Sequence, residues 1–199
     1  DSVTPDMEDP KELKKFLELI RSLSAKGAIL AYHDRSDGGL AAALCEMMFA
    51  SHVGVEIVAD ALVSKDRTLN QALFNEELGA VIQVARGRAA EVERDFEAAG
   101  MGWSLKYLGN LTQDDHLNIY LEGKCVLSED RVDLQKAWNE VSWQIARMRD
   151  NPECVDSEYE LISDKHNGGL VLTMGFDPEE NLAAPFINTG VRPKVAILR

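Results

Sequence analysis

The stretch that decides the fold is HDRSDGGL, residues 33–40, because it joins a short apolar run to a helix-forming one. Residues 28–32 (AILAY) precede it and favour a buried strand, whereas residues 40–50 (LAAALCEMMFA) are rich in strong helix formers. The pattern predicts a strand, a loop of Asp, Ser and Gly, and a helix whose first N–H groups point outward. Free N–H groups attract anions and carboxylates bind Mg²⁺, so metal-bound phosphate suits this loop.

The same loop also has a purely structural interpretation. Asp37 would cap the helix, Gly38 and Gly39 would allow a tight turn, and Asp34 would be solvated. Short loops of Gly and Asp are common, so the spacing alone leaves both interpretations open.

Outward from the loop, helix and strand signals alternate. A helix begins at Pro10 and ends before Gly27, and residues 104–127 contain several strands with no helix between them. This order favours an α+β fold with a mixed β-sheet covered by helices over a doubly wound α/β fold. The further helices are predicted at 66–75, 88–99 and 131–149, and the strands at 53–58, 79–84, 104–111, 116–121 and 124–127.

The character of the sequence changes after Asp150. Residues 152–168 are polar and acidic and are predicted to be loop-like, residues 170–174 favour one short strand, and the stretch that follows is a tether. We therefore expect four parts. They are an incoming linker at 1–9, a domain at 10–150, a linker at 151–191, and the first strand of a truncated domain at 192–199.

The composition and net charge argue against two classes of function. The net charge of −13 argues against a nucleic-acid surface, and no apolar run approaches the roughly 20 residues of a membrane helix. Cys45, Cys125 and Cys154 are far apart, which predicts reduced thiols and a cytoplasmic protein. Cys45 and Cys125 are expected to be small core residues.

Residues 33–40 resemble the loop of the aminoimidazole ribonucleotide synthetase superfamily of ATP-dependent enzymes. Residues 1–6, 73–84, 148–154 and 192–199 are similar, in the same order, to the family of large, single-chain phosphoribosylformylglycinamidine synthases. The resemblance implies that residues 10–150 form the superfamily's C-terminal domain and that 192–199 begin a glutaminase domain.

The resemblance also implies a reaction. ATP would activate the amide oxygen of formylglycinamide ribonucleotide as a phosphate ester. Ammonia released from glutamine would displace the phosphate, giving formylglycinamidine ribonucleotide, glutamate, ADP and phosphate in de novo purine biosynthesis.

The matching positions imply roles for the residues of the loop. Asp34 is expected to bind Mg²⁺, Ser36 to contact ATP, and Gly38 and Gly39 to let the backbone come close. His33 is a candidate catalytic residue that meets the substrate, with a satisfied strand-end histidine as the alternative. The side chain of Arg35 either offsets phosphate charge or faces solvent.

Residues 74–79 (FNEELG) lie where relatives carry a Phe-Asn-x-Gly turn, and Glu76 departs from that pattern. A catalytic role and a helix-end or interface role both stay open for Asn75 and Glu76.

Most ATP contacts and the glutaminase residues would lie outside these 199 residues. The expected partners are therefore the preceding synthetase domains and the following glutaminase domain of the same polypeptide, together with small-molecule substrates, and the isolated chain should be inactive. A structural or docking module without catalytic contacts is the alternative, and a more distant kinase or selenophosphate-type synthetase is a weaker one.

Overall fold

The computed structural model describes residues 6–7, 9–190, 192 and 194–196. The chain forms two compact units, of which the first ends at Lys165 and the second begins at His166. The helices are α1 (Pro10–Ala25), α2 (Gly39–Ser51), α3 (Leu69–Phe74), α4 (Ala89–Ala98), α5 (Arg131–Arg149) and α6 (Pro152–Leu161). The strands are β1 (Ile29–Asp34), β2 (Gly54–Val58), β3 (Ala80–Val84), β4 (Gly109–Thr112), β5 (His116–Leu121) and β6 (Lys124–Asp130).

The strands form two sheets. β1 pairs with β3 in an antiparallel ribbon, and the other four strands form a sheet in the order β4-β2-β5-β6. β2 and β5 run parallel in this sheet, whereas the other neighbours are antiparallel. The predicted α+β fold with a mixed sheet and covering helices is confirmed.

Helix α2 lies at the centre of the larger hydrophobic core. Its buried residues, among them Leu44 and Met48, pack with Val81 of the ribbon and with Ile57 and Ile119 of the four-stranded sheet. A helix that contacts both sheets must be apolar on more than one side, which explains the run of Ala, Leu and Met after the loop. The start of α2, and the loop before it, are therefore fixed by the core.

A second core holds α1 and α4 against the ribbon. Leu23, Val92 and Phe96 are buried there, and the side chains of Ile82 and Val84 of β3 pack against them. The ribbon is thus covered by helices from both clusters, which fixes the end of β1 where the loop begins.

Helix α5 has the predicted bounds, but its apolar stripe is only partly buried. Leu134 packs against the larger core and Trp138 stacks at a tilt on Phe49, with ring centroids 5.8 Å apart. Farther along the same stripe Val141 and Met148 are exposed, Met148 to 81%. Only the N-terminal part of this stripe is therefore covered, and α6 packs on another face of α5, through Trp143.

Residues 152–161 form helix α6, so the prediction of loop-like structure there is wrong. Asn151 caps the helix through its Oδ1, which accepts from the Glu153 N–H at 3.0 Å, and Pro152 occupies the first turn. Val155 is buried, and the ring of Tyr159 stacks on Trp143 with centroids 4.4 Å apart. A proline after a capping asparagine starts a helix rather than stopping one.

Other local expectations also change. Residues 170–174 form no strand and their apolar side chains are exposed. The strand expected at 104–111 begins only at Gly109, and Cys125 is exposed on β6 instead of lying in the core. The strand expected within 192–199 falls partly outside the described residues, and 194–196 have no regular structure. The division at residue 150 remains a prediction, while the first compact unit extends to Lys165.

Candidate functional site

The candidate site lies where β1 passes into α2. β1 continues through His33 and Asp34, and α2 begins at Gly39. Gly38 and Gly39 have φ values of 79° and 67°, which L side chains rarely adopt. A Cβ at Gly39 would also lie 2.7 Å from the backbone carbonyl oxygens of Leu73 and Asn75, at the C-terminal end of α3. Gly39 thus packs closely on the protein's own backbone, while the approach of Gly38 and Gly39 to a nucleotide remains a prediction.

The expected cap, Asp37, does not cap α2. The N-cap position is Gly38, which has no side chain, and its N–H donates to Oε1 of Glu76 at 3.0 Å. Glu76 therefore has the helix-end role that the sequence left open, while Asn75 accepts from the Glu77 N–H at 2.8 Å. The Asp37 side chain is exposed and forms no hydrogen bond or ion pair within the described part of the chain.

Asp34 and Tyr32 lie on one exposed face of β1, since alternate residues of a strand share a face. The Tyr32 hydroxyl donates to Oδ1 of Asp34 at 2.5 Å. Partial burial, together with the hydrogen bond to Asp34 and its charge, raises the pKa of Tyr32 to about 12. Tyr32 therefore remains a donor, and among the described residues no other side chain bonds the Asp34 carboxylate.

His33 points to the opposite face of β1, toward α2. Its Nε2 lies 2.8 Å from Oε2 of Glu46, and its Nδ1 lies 2.6 Å from the backbone oxygen of Asp34. Oε1 of Glu46 also accepts from Nε1 of Trp138 at 3.0 Å. Both ring nitrogens of His33 are thus engaged within the chain, a geometry that favours the satisfied strand-end histidine.

Ser36 and Arg35 complete the loop. The backbone oxygen of Ser36 accepts from the Gly39 N–H at 2.9 Å, while its exposed hydroxyl has no bonding partner among the residues the structure describes. The Arg35 guanidinium is half-buried against the backbone, where its Nε donates to the Glu77 carbonyl at 2.5 Å and its Nη2 to the Leu78 carbonyl at 3.1 Å. Burial, with the charge of nearby Arg67, lowers the pKa of Arg35.

The structure places Asp34 as one potential metal ligand. Among the described residues, no group of three or more His, Cys, Asp and Glu side chains could hold a metal ion. Mg²⁺ is often bound through one or two carboxylates, with phosphates and water completing its octahedron. The exposed Asp34 carboxylate, with one oxygen held by Tyr32, therefore fits a single Mg²⁺ ligand.

Residues 1–122 match the family described as AIR synthase related protein, C-terminal domain. The chain belongs to this family. Solved structures of similar fold include PurL of T. maritima complexed with ATP (16% identity, TM-score 0.55) and complexed with FGAR (17%, 0.57). Phosphoribosylformylglycinamidine synthase II from Thermotoga maritima is also similar (16%, 0.55).

The similar structures are much longer than this chain. They cover 63% to 67% of it, and it spans only 22% to 23% of their length. At these identities the similarity to the solved structures shows the fold alone. The family match over residues 1–122 confirms the resemblance to the synthetase superfamily. In the part of the chain that the structure describes, no helix is long and apolar enough to cross a membrane.

Sequence reasoning missed three contacts of the site: those of Tyr32, Glu46 and Trp138. The spacing of two between Tyr32 and Asp34 was a usable signal, because it places both side chains on one face of a strand. Glu46 and Trp138 carried no local signal, since they are 92 residues apart and meet only through packing of α5 on α2.

Proposed function

We propose that this chain forms one wall of the active site of an ATP-dependent carbon–nitrogen ligase that converts formylglycinamide ribonucleotide to formylglycinamidine ribonucleotide. Family membership supports the proposal, as does the fold shared with PurL structures that hold ATP and FGAR. One observation carries it: the free side of the Asp34 carboxylate, the Ser36 hydroxyl and the start of α2 lie within six residues at an exposed strand end.

Four residues of the loop have a defined part in this reaction. Asp34 holds Mg²⁺ and Ser36 contacts the nucleotide, while Gly38 and Gly39 keep side chains out of the turn. Bound Mg²⁺ neutralises charge on the phosphoryl oxygens during transfer. ATP transfers its terminal phosphoryl group to the amide oxygen of the substrate, ammonia then attacks the carbon, and phosphate leaves.

The charges of the loop support a metal-bound nucleotide over a bare one. Asp34 and Asp37 are exposed, whereas the Arg35 guanidinium is turned toward the backbone carbonyls. The chain as a whole carries a net charge of −13. A phosphate without a cation would be repelled here, so the loop suits phosphate that arrives with Mg²⁺.

The remaining parts of the machinery belong to the longer ligase in this proposal. Preceding synthetase domains supply most ATP contacts and the other metal ligands, and a glutaminase domain that follows residues 192–199 releases ammonia from glutamine. The 10–150 domain and the 151–191 linker are part of the same proposal, as is a cytoplasmic location. His33 acts by holding Glu46, whose other oxygen accepts from Trp138, rather than by touching substrate.

The test is Asp34→Asn in the ligase that contains this chain, assayed with ammonia in place of glutamine. Loss of one charged ligand where charge develops should cost about 2.7–4 kcal/mol, or roughly a hundred- to thousand-fold in rate. Ser36→Ala should be milder, at about 0.5–1.5 kcal/mol for one hydrogen bond.

Asp37→Asn is the matched control, because it makes the same change of charge three residues away on an exposed side chain. It should keep near-normal synthesis. If Asp34→Asn also keeps near-normal synthesis across Mg²⁺ concentrations, Asp34 is not a metal ligand and the proposal is wrong.

The exposed stripe of α5 favours a second candidate, a docking module without catalytic contacts. Val141, Ile145 and Met148 are all uncovered within the compact unit that ends at Lys165. In that case Ile145→Glu would impair assembly of the ligase, and Asp34→Asn would leave its activity intact.

A further inference from the structure

One segment, Leu73–Gly79, supports the loop at both of its ends, and we call it the loop-support segment. At the start of the loop, the Arg35 N–H donates to the Gly79 carbonyl at 2.9 Å. At its end, the Gly38 N–H donates to Glu76 at 3.0 Å, and Gly39 packs directly on the backbone of the segment. The loop is therefore pinned against one stretch of backbone.

The Arg35 side chain makes the remaining contacts. Its Nε and Nη2 donate to two successive carbonyls, those of Glu77 and Leu78, as a planar fork can do. A Cβ at Gly79 would lie 3.4 Å from the guanidinium, at the edge of ordinary van der Waals contact, so the fork lies close against this part of the chain. The guanidinium is half-buried, and both of these hydrogen bonds hold it against backbone carbonyls of the loop-support segment.

From this geometry we propose that Arg35 is a positioning residue for the nucleotide loop and does not contact phosphate. It fixes Ser36–Gly39 to the loop-support segment, so that Asp34 and Ser36 stay directed toward the Mg²⁺–nucleotide. The identity of the ligand rests on the proposed function, whereas the positioning role of Arg35 rests on the contacts given above.

Lysine separates a positioning role from a charge role. Arg35→Lys keeps the positive charge, but a single ammonium cannot reproduce the fork to two carbonyls. A residue that acts through its charge would tolerate this change, whereas a residue that acts through geometry would lose its function with lysine almost as fully as with alanine.

The experiment compares the 199-residue chain with its Arg35→Lys and Arg35→Ala variants. Arg67→Ala is the matched control, because it removes the neighbouring positive charge without touching the fork. Amide hydrogen exchange measures the loop without any nucleotide, and a titration with MgATP followed by NMR measures affinity. Thermal unfolding measures the fold as a whole.

We expect both Arg35 variants to exchange the Gly38 and Gly39 amides about tenfold faster or more, since hydrogen bonds to a charged group are lost. Affinity for MgATP should fall about tenfold as well, while amides of β2 and β5 and the melting temperature stay near wild type. Arg67→Ala should match the wild-type chain in every measurement.

Wild-type exchange and affinity in Arg35→Lys would overturn the proposal, because charge alone would then suffice. Equal acceleration of exchange in β2 and β5 would also overturn it, by showing a general loss of stability. If Arg35→Lys frees the loop but Asp34→Asn leaves the ligase active, the support role stands and the proposed function fails.

Discussion

At the scale of the residue, the Tyr32 hydroxyl leaves one oxygen of Asp34 available for a metal. Tyr32→Phe keeps the ring and removes the hydrogen bond of 2.5 Å that orients the carboxylate. We expect Mg²⁺-dependent nucleotide binding to weaken about two- to tenfold, in line with one hydrogen bond, with little change in stability. A titration of MgATP at several Mg²⁺ concentrations measures it.

Tyr107→Phe is the control, because Tyr107 is exposed and lies outside the loop. An unchanged Mg²⁺ dependence in Tyr32→Phe would show that Asp34 needs no partner to bind the metal, or that it binds none.

A second prediction at this scale concerns Arg131, which is 1% exposed. Its Nε and Nη2 donate to the two oxygens of Asp115 at 2.5 and 3.2 Å, and Lys165 lies 3.1 Å from the same carboxylate. Asp115→Asn would leave the buried guanidinium without its counter-charge. It should lower the free energy of unfolding by about 3–5 kcal/mol, measured by urea denaturation.

The same ion pair predicts how stability depends on pH. Burial alone would raise the pKa of Asp115, but hydrogen bonds from Arg131 and Lys165 hold this pKa below its usual value. The folded chain therefore binds the proton less readily than the unfolded chain. The stabilisation that Asp115 contributes is complete above its pKa in the unfolded chain, about 3.9. It is lost as the pH falls through the lower pKa of Asp115 in the folded chain.

The free energy of unfolding, measured by urea denaturation at each pH from 6 to 2, should thus fall less steeply with pH in Asp115→Asn than in the wild type. Asp66→Asn, at an exposed turn, should leave the profile unchanged. Identical profiles for Asp115→Asn and wild type would mean that the pair does not set acid stability.

At the scale of the element, local sequence signals predicted some helices and missed others. The bounds of α5 follow from Asp130, which caps it, and from a long periodic run. α6 was missed because its packing face has few members, such as the buried Val155 and the half-buried Tyr159, within an acidic stretch. The tight turn at Gly38 and Gly39 and the exposure of Asp34 were predictable because they follow from local sequence, while the nucleotide and metal roles of these residues stay predictions. The pairing of Arg35 with Glu77 was not, since it joins residues 42 apart in sequence.

The packing of α6 gives a prediction for proteolysis. In the wild-type chain, first cleavage should fall within 166–190, where regular structure is nearly absent, and not within 152–161. Tyr159→Ala removes the stack on Trp143 and a hydrogen bond of 3.0 Å to the Lys136 carbonyl. It should therefore open α6 to early cleavage as well, as mass spectrometry of the fragments would show.

Tyr107→Phe again provides the control for loss of a tyrosine group, and its pattern of cleavage should match the wild type. Early cleavage within α6 of the wild-type chain would contradict the packing of this helix on α5.

At the scale of the whole molecule, the core and the site form one system. α2 packs against both sheets, so the start of this helix, and with it the loop, is held by the larger hydrophobic core. The loop-support segment runs from α3 into β3, and β3 is itself paired with β1. The exposed carboxylate of Asp34 is thus presented by a rigid frame, which suits a ligand that must be placed accurately.

The central claim is that the loop at residues 34–39 binds the phosphates of a Mg²⁺–nucleotide through Asp34 and Ser36, and an NMR titration of the 199-residue chain tests it most directly. We predict that MgATP shifts the backbone amides of residues 34–39, that ATP without Mg²⁺ shifts them far less, and that Asp34→Asn removes the difference while Asp37→Asn preserves it. Amides of this loop that stay in place while MgATP shifts others, or that respond equally with and without Mg²⁺, would contradict the account.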